Sequence, residues 1–139
     1  MNQPLLDAAH SGTYRATRAR ETRAAARAQG LRIARIACTG PGGKAALLRE
    51  LAAALQFPAW YGGNWDALED CLTDLSWMPA PGYLILIQCS GRLAHDEFAV
   101  LRDVLDASAQ FWSAHGKPFY AVFVAGPESL PELGGASPA

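Results

Sequence analysis

Two short runs of apolar residues, at positions 83–87 and 119–124, constrain the fold of this chain more than any other feature. Each is apolar at successive positions, a pattern typical of strands that are covered on both faces of a sheet. Between them, residues 95–115 are predicted to form a long helix, because apolar side chains recur there at helical spacing: Phe98, Leu101, Leu105, Ala109 and Trp112. A helix between two buried strands indicates a right-handed parallel crossover and an α/β fold.

The middle of the chain repeats this alternation of strand and helix. Residues 31–38 are predicted to form another buried strand, and the glycine-rich turn at residues 40–43 leads into a helix over residues 44–56. This helix has a stripe of core leucines: Leu47, Leu48, Leu51 and Leu55. We therefore expect a compact single-domain sandwich, with a small parallel sheet of three to four strands flanked by helices.

The two ends of the chain differ from this central unit. Residues 1–30 are expected to be an N-terminal extension, with a short edge strand near residue 12 and an arginine- and alanine-rich helix packed on the domain. Residues 31–125 are expected to form the domain itself. Residues 126–139 are rich in proline, glycine and serine, and we expect them to be a disordered tail.

Composition narrows the class of protein. The apolar runs are far shorter than the roughly 18–20 residues of a membrane helix, and the first residues lack a basic-then-apolar signal segment. These features predict a cytoplasmic protein with no membrane contact. The cysteines, Cys38, Cys71 and Cys89, have no C-x-x-C spacing, so we expect reduced thiols rather than a disulfide framework or a zinc site.

Charge is distributed unevenly along the chain. The first 50 residues carry nine basic and three acidic side chains, whereas the remainder carries three basic and ten acidic ones. The two halves are therefore expected to present different faces to a partner. The arginines of residues 18–29 have no interleaved aromatic residues that could stack on bases, so we expect no direct binding of nucleic acid.

The segment from Phe57 to Leu75 combines aromatic residues, a glycine loop and a short helix. Asn64 is expected to cap this helix, which is predicted to run to about Trp77. Apolar residues at i, i+3, i+4 and i+7 form a stripe suited to a core: Leu68, Cys71, Leu72 and Leu75.

The opposite face of the predicted helix is acidic. Asp66, Glu69, Asp70 and either Thr73 or Asp74 recur at three- and four-residue steps. Like charges three or four residues apart destabilise an exposed helix by roughly 0.2–0.5 kcal/mol per pair. Because no lysine is interspersed to relieve this repulsion, the pattern indicates a binding surface rather than a face selected for stability.

Aromatic residues precede the acidic helix. Trp60 stands before a two-glycine loop, which allows its ring to lie at the surface near the carboxylates, and exposed aromatic rings beside charges are typical of interface anchors. Tyr61 and Trp77 are expected to belong to the core.

The same segment resembles the barstar family, which consists of intracellular protein inhibitors of the secreted bacterial ribonuclease barnase and their relatives. The shared residues are Pro58, Trp60-Tyr61-Gly62, Asn64, Asp66-Ala67-Leu68 and Asp70-Cys71-Leu72-Thr73. The resemblance implies a compact α/β fold with a parallel sheet, and a loop and helix that plug the cationic active site of a ribonuclease. We expect the partner-binding residues to be Trp60, Gly62, Gly63, Asn64, Asp66, Glu69, Asp70, Thr73 and Asp74.

This sequence departs from the family pattern at four positions. Gly63 stands where the family has an acidic residue, Glu69 where it has an aromatic one, and Phe111 and His115 where it has glutamates. The expected partner is a basic ribonuclease or related toxin. The chain is expected to act as its immunity protein and to be monomeric when free. The alternative is a barstar-like interaction domain that binds a different basic protein.

An enzyme is the third interpretation. Asp66 and Asp70, one helical turn apart, offer carboxylate oxygens of the kind that ligate Mg²⁺ or Mn²⁺. A hydrolase also needs a positioned base or a positive group, and the nearest basic residues in sequence are Arg49 and Arg92. The residues at 40–45 likewise fail the spacing of a dinucleotide or phosphate loop. We therefore expect no catalytic residue, no metal site and no cofactor.

Overall fold

The computed structural model describes residues 6–17, 19–37, 43–58, 61–88, 94–127 and 129–133 of the 139-residue chain. In chain order, the strands are β1 (Gly12–Ala16), β2 (Arg32–Ile36), β3 (Tyr83–Ile87) and β4 (Phe119–Val124). The helices are α1 (Arg20–Ala28), α2 (Gly43–Ala54), α3 (Trp65–Leu72) and α4 (His95–Ala114), and a 3₁₀ turn at Ala8–His10 precedes β1.

The strands form one sheet in the order β1-β4-β3-β2, and all neighbouring strands are parallel. The two runs that are apolar at successive positions, β3 and β4, occupy the centre of the sheet. Every residue of β3 is buried, as expected of a strand covered on both faces. The prediction of an α/β fold with a small parallel sheet is confirmed, and the sheet has four strands.

Side chains of the central strands alternate between two cores. Ile85 and Ala121 contribute to the core that α2, α3 and α4 cover, whereas Leu84 and Tyr120 contribute to the core that α1 covers. This alternation follows from the two-residue period of a strand. As a result, the acidic helix α3 and the arginine-rich helix α1 lie on opposite faces of the sheet.

The N-terminal residues share the sheet and the core of the central unit. β1 extends the sheet beside β4, and the Thr13 hydroxyl donates a hydrogen bond to Asp106 Oδ1 on α4 at 2.6 Å. Ala25 and Ala26 of α1 are buried against the sheet. Residues 1–5 and Arg18 of the expected N-terminal extension lie outside the described residues.

The segment after β4 packs on the domain, which differs from the disordered tail expected over residues 126–139. Leu130 is 1% exposed and joins the core under α2, α3 and α4. The Arg15 N–H donates to the Pro131 carbonyl and the Leu133 N–H donates to the Arg15 carbonyl, both at 2.9 Å, so the segment pairs with β1. The buried Leu130 and the hydrogen bonds to the edge strand β1 hold this segment against the domain. The chain beyond Leu133 lies outside the described residues.

Replacing Leu130 with alanine is expected to lower the free energy of unfolding by about 2–5 kcal/mol, the usual range for removing a buried leucine. Leu133, which is only partly buried, supplies the matched control, since Leu133→Ala removes the same atoms from a less enclosed position. Urea unfolding of both variants measures the difference. A Leu130→Ala protein as stable as the parent would show that the segment does not dock in solution.

Candidate protein-binding site

The N-terminus of α3 is fixed by its cap. Asn64 has an extended backbone (φ −128°, ψ 176°), and its Oδ1 accepts a hydrogen bond from the Ala67 N–H at 2.7 Å. This confirms the predicted cap. Asn64 was also expected to contact the partner; it is exposed, and its Nδ2 amide group remains available as a donor while Oδ1 caps the helix.

The C-terminus of α3 comes earlier than the sequence predicted. The helix ends at Leu72 rather than near Trp77, because the backbone leaves the helical region and Leu75 adopts a left-handed φ of 50°. The Thr73 hydroxyl donates to the Glu69 carbonyl at 2.8 Å and helps to close the last turn. With its proton used in this way, Thr73 faces a partner mainly as a hydrogen-bond acceptor.

The predicted apolar stripe of α3 is confirmed. Leu68, Cys71, Leu72 and Leu75 are each at most 1% exposed. The Trp112 indole N–H on α4 donates to the Leu72 carbonyl at 2.7 Å, and this bond is buried. The stripe and the indole bond together fix the orientation of the helix, and so of its other face.

That other face is acidic and solvent-exposed, as the spacing indicated. We call Asp66, Glu69 and Asp70 on α3, together with Asp74 two residues beyond the end of the helix, the acidic face; all four are exposed residues. Among the residues described, none of the four forms an ion pair. Exposed carboxylates that no described side chain pairs with favour the approach of a positively charged partner.

A positive group that sequence reasoning missed lies at the N-terminal end of α3. The Lys44 ammonium on α2 is 5.3 Å from the centre of the Trp65 ring, a cation–π contact. Lys44 is distant from Trp65 in the sequence, so only the fold brings the two side chains together. The ammonium group thus lies beside the first residue of α3.

The C-terminal end of α4 lies beside the end of α3. Phe111 packs against the core, and its ring is 4.4 Å from that of His115. The His115 Nδ1 is 2.8 Å from the Phe111 carbonyl; a carbonyl only accepts, so Nδ1 carries the proton and Nε2 is left for other contacts. The Lys117 ammonium lies 5.5 Å from the Trp112 ring centre. Where the family pattern has acidic groups, this chain thus has an aromatic and cationic cluster.

The loop before α3 is only partly described. Trp60, the expected aromatic anchor, lies outside the described residues. Tyr61 and Trp77 are partly buried and pack against the core, and the Tyr61 ring contacts Phe57 edge-on at 4.8 Å. Burial raises the pKa of the Tyr61 hydroxyl, which has no hydrogen-bond partner among the described residues.

Gly63 adopts a left-handed φ of 75°, which other residues rarely adopt. Gly63→Ala is therefore expected to lower the free energy of unfolding by about 1–2 kcal/mol. Gly62→Ala is the matched control, since a side-chain carbon there would lie 3.6 Å from Asn64 Nδ2, an ordinary contact. Urea unfolding should rank Gly63→Ala below Gly62→Ala, and equal stability would contradict the left-handed turn.

Cys71 is a free thiol buried on the inner side of α3. Burial first, and then the charges of Asp70 and Asp74, raise its pKa from 9.0 to about 11. Because folding favours the neutral thiol, its contribution to stability is complete below the unfolded pKa and is lost as the pH rises through about 11.

With Cys38 and Cys89 replaced by serine, the remaining thiol is expected to react with a disulfide reagent at about pH 8 far more slowly than an unfolded thiol does. Labelling the native and the urea-unfolded protein side by side measures this protection. Equal rates would mean that α3 opens readily or that Cys71 is not buried.

The fold and the acidic face define a small α/β domain with a candidate protein-binding surface. The chain belongs to the Barstar family, since the family model described as Barstar (barnase inhibitor) matches residues 31–124, from just before β2 to the end of β4. The resemblance noted in the sequence is thereby confirmed. No curated protein matches the chain.

Among the described residues, none of the helices is long and apolar enough to cross a lipid bilayer. In the same part of the chain, no group of three or more His, Cys, Asp or Glu side chains is arranged to hold a metal ion.

Proposed function

We propose that this protein is an inhibitor that blocks the cationic active site of a ribonuclease, using the acidic face of α3 and the loop before it. The observation that carries the proposal is the set of four exposed carboxylates, three on α3 and Asp74 just beyond its end, which form no ion pair with any described residue. The opposite side of the helix is buried in the core. Family membership supports a ribonuclease as the class of partner, because the family is described as barnase inhibitors.

The mechanism is competition by mimicry of the substrate. A ribonuclease holds the phosphates of RNA with basic side chains, and carboxylate oxygens can take the positions of phosphate oxygens. Asp66 and Asp70, one turn apart on α3, present two such groups on one side of the helix. Asp74 and Glu69 extend the negative surface, and Thr73 adds an acceptor. RNA is then excluded from the cleft.

The rigidity of α3 matters as much as its charge. Binding orders flexible groups at a cost in free energy, so a helix that is already held in its bound orientation gains affinity. The Asn64 cap and the Trp112–Leu72 hydrogen bond provide this order before a partner arrives. In a cell that makes the ribonuclease, such an inhibitor acts in the cytoplasm as the immunity protein of the pair.

A different basic partner is the second candidate, and the cluster of Phe111, His115 and Lys117 favours it. Where the family pattern provides acidic groups beside α3, this chain offers aromatic rings and a cation. A partner matched to this surface has its basic groups opposite α3 and apolar or acidic groups opposite the end of α4. This differs from a cleft that is basic throughout.

Affinity capture from the native lysate tests the proposal. The parent chain and the Asp70→Ala variant are immobilised in parallel, and Arg49→Ala, which alters an exposed residue of α2, serves as the matched control. The proposal predicts that the parent and Arg49→Ala retain a basic protein with ribonuclease activity that Asp70→Ala does not. Retention of a basic protein without that activity would favour the second candidate.

A further inference from the structure

The arginines of α1 form a stripe on the solvent side of that helix. Arg20, Arg23 and Arg27 are spaced i, i+3 and i+7, which places them on one face. The buried residues of α1, Thr22, Ala25 and Ala26, lie on the other side. Arg20 and Arg27 are exposed and Arg23 is partly so.

Arg35 on β2 lies on the same side of the sheet as α1. It follows Ile33 by two positions, so both side chains point to the same face of the sheet. Ile33 packs against the core that α1 covers, and Arg35 is exposed. We call Arg20, Arg23, Arg27 and Arg35 the arginine face.

No ion pair neutralises the arginine face in the part of the chain that the structure describes. Among the described residues, none of its four side chains takes part in an ion pair, and Glu21 is the one acidic residue on α1. The guanidinium groups of Arg20, Arg27 and Arg35 are exposed and form no ion pair in the described part of the chain, so this face attracts an anionic surface.

The sheet separates this face from the acidic face. α1 covers one core and α3 the other, so the two faces point away from each other and cannot pair within one molecule. Their separation, on the order of two helix diameters of about 10 Å plus the sheet, exceeds the Debye length of about 8 Å at physiological salt. The formal net charge is −1, so little overall repulsion opposes self-association.

We propose that the arginine face of one copy of this chain binds the acidic face of a second copy. The contact is heterologous, since different surfaces meet, and it allows copies to stack head to tail. Four arginines meet four carboxylates, and arginine can bind a carboxylate through two parallel hydrogen bonds. Exposed charges bind weakly and are screened by salt, so stacks form at high protein concentration and low salt.

One consequence concerns the inhibitory surface and rests on the proposed function. In a stack, the acidic face of every copy but the last is covered, so a basic partner must displace a neighbouring copy before it binds. Self-association itself needs no ribonuclease. The two proposals can therefore fail separately.

Sedimentation equilibrium with two complementary variants tests the stack. One variant removes two of the four charges of the acidic face (Asp66→Asn with Asp70→Asn), and the other removes two of the four charges of the arginine face (Arg20→Gln with Arg27→Gln). Arg32→Gln with Arg49→Gln is the control, since it removes two positive charges from exposed residues outside both faces. Far-UV circular dichroism verifies that each variant is folded.

At about 0.02 M salt, where the Debye length is long, the weight-average mass of the parent and of the control should rise with concentration above 14.8 kDa. At about 0.5 M salt it should return to the monomer value. Each complementary variant alone should show a greatly reduced rise, and their equimolar mixture should reach twice the monomer mass and stop there. A monomeric parent at low salt, or a mixture that does not associate, would overturn the proposal. So would a monomeric parent that binds a single-stranded RNA oligonucleotide through these arginines, which would make nucleic acid the occupant.

Discussion

Replacing Asp70 with alanine is expected to weaken binding of the basic partner by about 2 kcal/mol or more, which is close to 30-fold in Kd. This magnitude is the usual threshold for a hot-spot residue, and the interfaces that illustrate it include barnase–barstar itself. Asp70 lies four residues from both Asp66 and Asp74, in the middle of the acidic face, and it is exposed in the free protein. Central positions lose most solvent on binding and carry most of the binding energy. The loss is expected mainly as faster dissociation, measured by surface plasmon resonance with the captured partner.

Glu69→Ala is the matched comparison for Asp70→Ala, because it removes one charge from the neighbouring position. If Glu69 lies toward the rim of the interface, its loss should mostly slow association and flatten the dependence on salt. Measuring both variants at two salt concentrations separates the two roles. An Asp70→Ala protein that binds as tightly as the parent would mean that the partner uses another surface.

Trp112→Ala is expected to lower the free energy of unfolding by about 3–5 kcal/mol, the range for removing a buried large aromatic side chain. Trp112 is 8% exposed, its ring lies 5.3 Å from that of Tyr83, and its N–H bonds to the Leu72 carbonyl. Losing it removes the contact that holds the end of α3, so partner affinity should fall as well. Urea unfolding measures the first effect.

Trp112→Phe separates the hydrogen bond from the packing. Phenylalanine keeps an aromatic ring in the core but has no N–H to donate, so the Leu72 carbonyl loses this partner, at a cost of about 1–3 kcal/mol. If Trp112→Phe is as unstable as Trp112→Ala, the hydrogen bond to Leu72 accounts for the stability that Trp112 provides, and the aromatic ring alone does not hold the helix. If Trp112→Phe unfolds like the parent, the hydrogen bond contributes nothing, and the account of how α3 is anchored fails.

Much of the fold could be predicted because its signals are local. The central strands β3 and β4 are apolar at successive positions, and that pattern requires cover on both faces. The stripe of α3 and the Asn64 cap depend on spacings within one or two turns of helix. The acidic face followed from the same periodicity, since residues opposite a buried stripe must face solvent.

Features that depend on distant parts of the chain could not be predicted in this way. Leu130 packs into a core formed by residues that lie far earlier in the sequence. The contact of Lys44 with Trp65 and the bond from Trp112 to Leu72 exist only once helices pack together. The early end of α3 depends on the left-handed backbone of Leu75, which the apolar spacing of that residue does not reveal.

Inhibition of a ribonuclease by the purified chain tests the central claim most directly. Barnase, or the ribonuclease captured from the lysate, is titrated with the parent and with the variant Asp66→Asn with Asp70→Asn, and cleavage of a fluorogenic RNA substrate is followed. The proposed function predicts that the parent abolishes cleavage at a one-to-one ratio, that the variant needs a large excess, and that added salt weakens inhibition. Full ribonuclease activity in the presence of excess parent chain, with both enzymes, would contradict it.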